Sequence, residues 1–171
     1  MVTAEKIEHI ILPHEDLVLT ADERQAILEL AYLTIAWDGA LVKTELDAFR
    51  ILASHLRDMV GNPEVGPDSK HPAPPAENRK LTEAELAKLL AEFASGLERQ
   101  AADARLLTLA PRLKRRVAAA FAYQIACALS LIDGDGGDAE FELELQIVDA
   151  LGLATDEAET LATRTRTLML G

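Results

Sequence analysis

The chain has 171 residues and a formal charge of −12, from 29 acidic and 17 basic side chains. A domain of this length buries roughly 70% of its unfolded surface, so one core suffices without a covalent or metal staple. The charge excludes a nucleic-acid or anionic-membrane surface, where Lys and Arg would dominate, and leaves cations and basic partners as the matching classes; it also serves simply to keep a small protein soluble.

Helical spacing runs through the chain, with much Ala, Leu and Glu and no sustained period-two alternation, which predicts an all-α fold. Thr3 is placed to cap a short first helix reaching about Leu12 and ended by Pro13. Thr20-Ala-Asp-Glu23 is a capping-box pattern opening a helix to Trp37, where Gly39 offers the left-handed conformation that ends it. A further helix is expected from Lys43 or Thr44 to about Val60, with Leu46, Phe49, Leu52, Ala53 and Leu56 on one stripe.

Gly61 to Lys80 then interrupts the pattern with five prolines and two glycines, which predicts a proline-rich mobile loop over 61–81. Its Pro72-Ala-Pro-Pro75 stretch has PxxP spacing, too short to define a recognition motif. Thr82-Glu-Ala-Glu85 is a second capping box, opening a helix to about Arg99. A short segment from Ala101 to Leu109 stops before Pro111, which suits the first turn of a long helix reaching Ile132. Val117 to Ile132 is apolar, yet shorter than the about 20 residues needed to span a bilayer, and it carries Gln124 and Ser130; a helix buried on most sides explains it. Two more helices follow, from about Asp138 to Leu151 with Gly152 as terminator, and from about Thr155 to Leu168. The expected architecture is one domain over 1–171, a compact bundle of seven or eight helices built from two pseudo-symmetric helical hairpins.

The hairpins are suggested by a repeat. Asp38-Gly39 is followed by five residues and Glu45, and Asp133-Gly134 by five residues and Glu140. Behind each Glu, Leu52, Ala53 and Leu56 stand at the same offsets as Ile147, Val148 and Leu151; ahead of each Asp, Ile27, Leu30 and Ala31 match Ala122, Ile125 and Ala126. Each turn supports two readings. In one it is architectural: Gly takes the left-handed position, the Asp carboxylate binds local N–H groups, and the Glu sits in the favourable first turn of the next helix. In the other it binds a cation. Asp133, Asp135, Asp138 and Glu140 crowd four carboxylates into eight residues, and hard divalent cations such as calcium or magnesium take oxygen ligands of this kind. The loop matches a calcium-binding EF-hand at its first, third and twelfth positions through Asp133, Asp135 and Glu144, but fails at the fifth, Gly137, and at the sixth, where Asp138 replaces the required glycine. The first turn, with Asp38 and Glu45 alone, has too few carboxylates for a complete cage.

Enzyme signatures are missing. None of His9, His14, His55 or His71 has a Glu three residues before it, as a di-iron bundle requires. There is no Walker-type phosphate loop, His-Glu-x-x-His motif or Gly-x-Ser-x-Gly elbow. Cys127 is the only cysteine and stands among Ile125, Ala126, Ala128 and Leu129, which predicts a buried structural thiol. A lone thiol and an N-terminus without a basic-then-apolar signal pattern predict a cytoplasmic protein.

The stretches Ala31-Tyr-Leu-Thr-Ile-Ala-Trp-Asp-Gly-Ala-Leu-Val-Lys-Thr-Glu45 and Ala128-Leu-Ser-Leu-Ile-Asp-Gly, with Glu140 and the Ala150-Leu-Gly-Leu153 close, resemble the tellurite-resistance TerB-like proteins, a family that also includes the N-terminal region of a membrane-anchored DnaJ-type co-chaperone. The resemblance covers about residues 20 to 60 and 80 to 168. It implies an all-helical bundle, acids at the helix turns, and a role in metal sensing or in stress-response assemblies at the inner membrane face. Carried over residue by residue, the implied acids are Asp38, Glu45, Asp133 and Glu140. The proline-rich insertion and the glycine-rich, extra-acidic second turn depart from the family pattern. The expected function is a non-enzymatic module that binds a divalent cation at its acidic turns; the alternative is a protein interaction domain in which those turns only cap helices. Another protein is the expected partner, without nucleic acid, and the resemblance implies an indirect association with the inner membrane face. The sequence leaves the oligomeric state open.

Overall fold

Two helix starts in this chain, those of the capping boxes, are decided locally and form as their spacing predicts. In the computed structural model, Thr20 Oγ1 accepts from the Glu23 N–H at 3.0 Å while the Glu23 carboxylate accepts from the Thr20 N–H at 2.9 Å. Thr82 and Glu85 repeat the arrangement at 3.1 and 3.0 Å. Each cap contributes about 1 kcal/mol by satisfying N–H groups that the first helical turn leaves without partners. The structure describes residues 2–14, 16–37, 41–70, 80–132 and 138–171, and side chains at all of these except 138–140.

Eight α-helices are present among the described residues: α1 Glu8–Ile11, α2 Ala21–Ala36, α3 Lys43–Arg57, α4 Glu83–Arg99, α5 Ala102–Leu109, α6 Arg116–Ile132, α7 Asp138–Leu151 and α8 Thr155–Leu170. No β-strand occurs among them, so the all-α expectation holds. α1 is short and flanked by 3-10 turns at Ala4–Ile7 and Leu12–His14; Thr3 makes no side-chain cap, and Pro13 lies inside the second turn rather than ending the helical stretch. α2 and α6 pack against each other at the centre, and α6 also lies along α8. Every residue of α2 from Ala26 to Ile35 is buried, as is nearly all of α6 from Ala118 to Ile132. A helix apolar all round belongs inside, which is why α6 is a core element. No helix is long and apolar enough to cross a membrane among the described residues.

Three later boundaries also depart from the sequence reading. α3 ends at Arg57 rather than near Val60, because the chain beyond it pairs with the segment before α2: the Leu19 N–H donates to the Met59 carbonyl and the Gly61 N–H to the Leu19 carbonyl, both at 2.9 Å. That partner lies some forty residues away in sequence, beyond the reach of local pattern. Pro111 lies not in the first turn of α6 but in a separate 3-10 turn, Ala110–Arg112, and α6 starts at Arg116. α8 runs two residues past Leu168, to Leu170. Gly152 terminates α7 with φ of 70°, a left-handed conformation that suits glycine. The expected counterpart, Gly39, lies outside the described residues.

The start of the proline-rich segment folds onto itself. Ser69 Oγ accepts from the Asn62 N–H at 2.7 Å and donates to the Gly66 carbonyl at 2.7 Å, and a Cβ at Gly61 would stand 2.6 Å from that hydroxyl. The PxxP stretch lies outside the described residues. Beyond it, the Leu81 N–H donates to Ser54 Oγ at 3.0 Å and the Leu81 carbonyl accepts from Arg50 Nε at 2.8 Å, fixing the start of α4 on α3. α4 reaches the core through Phe93, which meets Tyr32 at 5.6 Å and Phe49 edge-on at 6.4 Å between ring centroids.

One side of α2 is stitched to the α5–α6 region by ion pairs. Buried Glu29 is held bidentately by Arg105 at 2.6 and 2.7 Å. Buried Glu23 is held the same way by Arg115 at 2.8 and 2.7 Å, and Arg115 also donates to the Val18 carbonyl at 2.7 Å. Asp22 accepts from Arg112 Nε at 2.9 Å. These contacts, rather than a helix start at Pro111, position the linker ahead of α6.

Candidate functional site

Of the six acids singled out by the sequence, the structure describes one side chain. Glu45 is the third residue of α3, in the first turn where its charge is favoured by the helix N-terminus, and it is only 4% exposed. It interacts with at least one other group. Asp38, Asp133 and Asp135 lie outside the described residues; Asp138 and Glu140 fall on the backbone of the first turn of α7, with their side chains outside the description. Among the described residues no group of three or more His, Cys, Asp or Glu side chains could hold a metal ion.

The residue that follows these acids is better defined. Glu144, at the twelfth position of the EF-hand comparison, is half-buried, and burial pushes its carboxyl above the usual range, with the Arg166 charge opposing the shift. Beside it lies Cys127, buried as expected, its thiol pushed up to about 12 by burial and then by the Glu144 charge. The phenol of Tyr123 is raised as well, first by burial and then by Cys127. A thiol held protonated in this way is no nucleophile near neutral pH.

The three histidines the structure describes are dispersed; His71 lies outside the described residues. His14 stacks on Phe121 at 4.8 Å and shares a hydrogen bond with Gln124 Oε1 at 3.1 Å, and burial lowers its pKa, so it favours the neutral form. His9 Nδ1 lies 3.2 Å from the Leu168 carbonyl, and His55 lies 3.5 Å from Glu8. None of these sits with a second candidate base and a nucleophile.

What the sequence reading missed is the outer face of α7. Leu143 and Ile147 are buried, at 1% and 0% exposure, whereas Phe141 and Leu145 are 63% and 55% exposed. The pattern explains the split. At 100° per residue Phe141 and Leu145 share one face, and Leu143 and Ile147 share nearly the opposite one. Counting only the inward register of Ile147, Val148 and Leu151 hid this second stripe, which the four-residue spacing of Phe141 and Leu145 could have shown. Glu142 and Asp149 are exposed on the same helix, so the stripe lies in an acidic setting.

Comparison with protein-family models, curated proteins and solved structures returns no match to this chain.

Proposed function

We propose that the chain is a non-enzymatic, TerB-like helical module that binds a basic protein partner along α7, within the kind of stress-response or tellurite-resistance-type assembly that the family resemblance implies. The observation that carries this reading is the exposure of Phe141 and Leu145 one turn apart on a helix whose opposite face is core. A large aromatic left in water forgoes about 1.5–3 kcal/mol of burial, which a partner's apolar groove or stripe would recover. The surrounding carboxylates select for basic residues on that partner and speed its encounter. The high thiol pKa of Cys127 and the separation of His9, His14 and His55 support the non-enzymatic part of the reading.

The test is binding of a labelled amphipathic peptide, with leucines at helical spacing and lysines between them, followed by fluorescence anisotropy. Saturable one-to-one binding is expected, lost in the Phe141→Ser, Leu145→Ser double variant, which keeps its helical circular dichroism. Binding that is absent, or unchanged in the variant, overturns the α7 assignment.

A second reading, divalent cation binding at the second acidic turn, rests on the crowding of Asp133, Asp135, Asp138 and Glu140 within eight residues. Thermal melting in chelated buffer, then with calcium or magnesium at matched ionic strength, tests it. The reading requires a saturable rise in Tm that disappears in Asp133→Asn and in Glu140→Gln; equal melting in all buffers removes it.

A further inference from the structure

On the side of α2 away from its ion pairs, three cations converge on one cleft. Arg24 projects from the second turn of α2, Arg57 ends α3, and Lys88 stands on α4; together with Gln25, Glu85 and Glu92 they line a cleft of about 300 Å³. In a chain of charge −12 this is a locally cationic place, with three positive lining groups against two negative ones. One of the two carboxylates is already committed: Glu85 caps α4 by accepting from the Thr82 N–H at 3.0 Å, and its nearest approach to Arg57 is 3.9 Å.

Arg24 is the anomaly. Its Nε is buried and has no hydrogen-bond partner, the sole buried side-chain nitrogen or oxygen in that condition among the described residues. Burial first, and then the Arg57 charge, weaken the hold of Arg24 on its proton without discharging it. Arg57 brings a second guanidinium charge to the same cleft, and burying a donor without an acceptor is itself costly. An anion in the cleft would offset the repulsion between the two guanidinium charges.

We propose that this cleft binds a phosphate-type oxyanion, free or carried as a phosphomonoester, held by Arg24 and Arg57 with Lys88 at the rim. The charge argues for a dianion over a single carboxylate, because two guanidinium charges face the cleft and a planar fork recognises phosphate through paired N–H donors. The walls are set in advance, since Leu81 ties the start of α4 to Ser54 and Arg50 of α3. The site shares no residue with the α7 face and stands or falls independently of it.

Calorimetric titration and thermal melting of the full chain test the proposal, using inorganic phosphate, O-phosphoserine and acetate, each at an ionic strength matched with chloride. One saturable phosphate or phosphoserine site is expected, with a rise in Tm that acetate and chloride do not give. Tighter binding of phosphoserine by tenfold or more assigns the site to a monoester, and equal binding to free phosphate. Arg24→Met should abolish the response, and Lys88→Gln should weaken it several-fold, both with unchanged circular dichroism. A response no greater than that of chloride, a response to acetate alone, or a full response in Arg24→Met overturns it.

Discussion

Glu23 and Arg24 are adjacent in sequence and face opposite circumstances. Glu23 closes a capping box and receives two bonds from Arg115, so every demand of its buried carboxylate is met within the chain. Arg24, one residue on, buries an Nε that nothing in the described chain satisfies, beside a second guanidinium. The contrast separates two uses of charge. On the belt formed by Glu23, Glu29, Arg105 and Arg115, opposite charges are matched and join elements far apart in sequence. In the cleft of Arg24, Arg57 and Lys88, like charges are gathered and held apart by the fold. The first arrangement serves the folded state; the second works against it, since burial and the Arg57 charge both disfavour the charged form of Arg24.

Breaking the belt should produce the largest effect. Glu29→Met leaves Arg105 without its bidentate partner in a half-buried place, and Arg105→Met leaves an almost wholly buried carboxylate with only the more distant Arg112, at 4.0 Å. Each single change should cost about 3 kcal/mol in urea unfolding, and the double variant distinctly less than the sum, because the uncompensated charge is then absent. Additive losses would mean that the pair contributes by packing alone. A smaller effect, set by pH, belongs to Glu23. Burial works against its charged form, but the hydrogen bonds from Arg115 and Thr20 outweigh that and hold its carboxyl below the usual value. A depressed folded pKa contributes stability that is complete above the unfolded value, near 4.5, and is lost as pH falls below that value through the folded one. Unfolding measured from pH 7 to pH 3 should therefore show a loss on acidification that Glu23→Gln flattens, together with a loss of about 1–2 kcal/mol at pH 7 in the variant. A slope unchanged in Glu23→Gln would assign the acid sensitivity to other carboxylates.

These two regions also differ in how far the sequence disclosed them. Thr20 with Glu23 and Thr82 with Glu85 could be read directly, because a capping box is complete within four residues. Gly152 and the span of α7 were legible for the same reason. The end of α3 was not, since it depends on Leu19 pairing with the chain around Val60. Pro111 was assigned to α6 by a sound local preference, and the linker around it is instead tied to Asp22 and Glu23 through Arg112 and Arg115. For the candidate site, the burial expected of Cys127 followed from its apolar neighbours, while Glu45 was recognised as a first-turn acid without any sign that it would be buried. Arg24 carries no local signature at all: whether an arginine finds an acceptor is decided by helices that reach it from residues 57 and 88.

The smallest expected effect is the sharpest test of the comparison. Arg24→Met removes a charge but keeps an apolar stem of similar length, so packing along α2 is retained while the donor without an acceptor and the repulsion from Arg57 both disappear. In chloride buffer its unfolding free energy should lie within about 0.5 kcal/mol of the parent or above it, the reverse of what Glu29→Met and Arg105→Met give. The comparison sharpens further with Arg57→Met, which relieves the same repulsion but also loses the approach to Glu85 and the further interaction that Arg57 makes. It should therefore be less favourable than Arg24→Met by a few tenths of a kcal/mol, the usual worth of an exposed ion pair. If Arg24→Met instead loses as much as the belt variants do, the guanidinium is bound within the folded chain, and the distinction between matched and gathered charge on α2 fails.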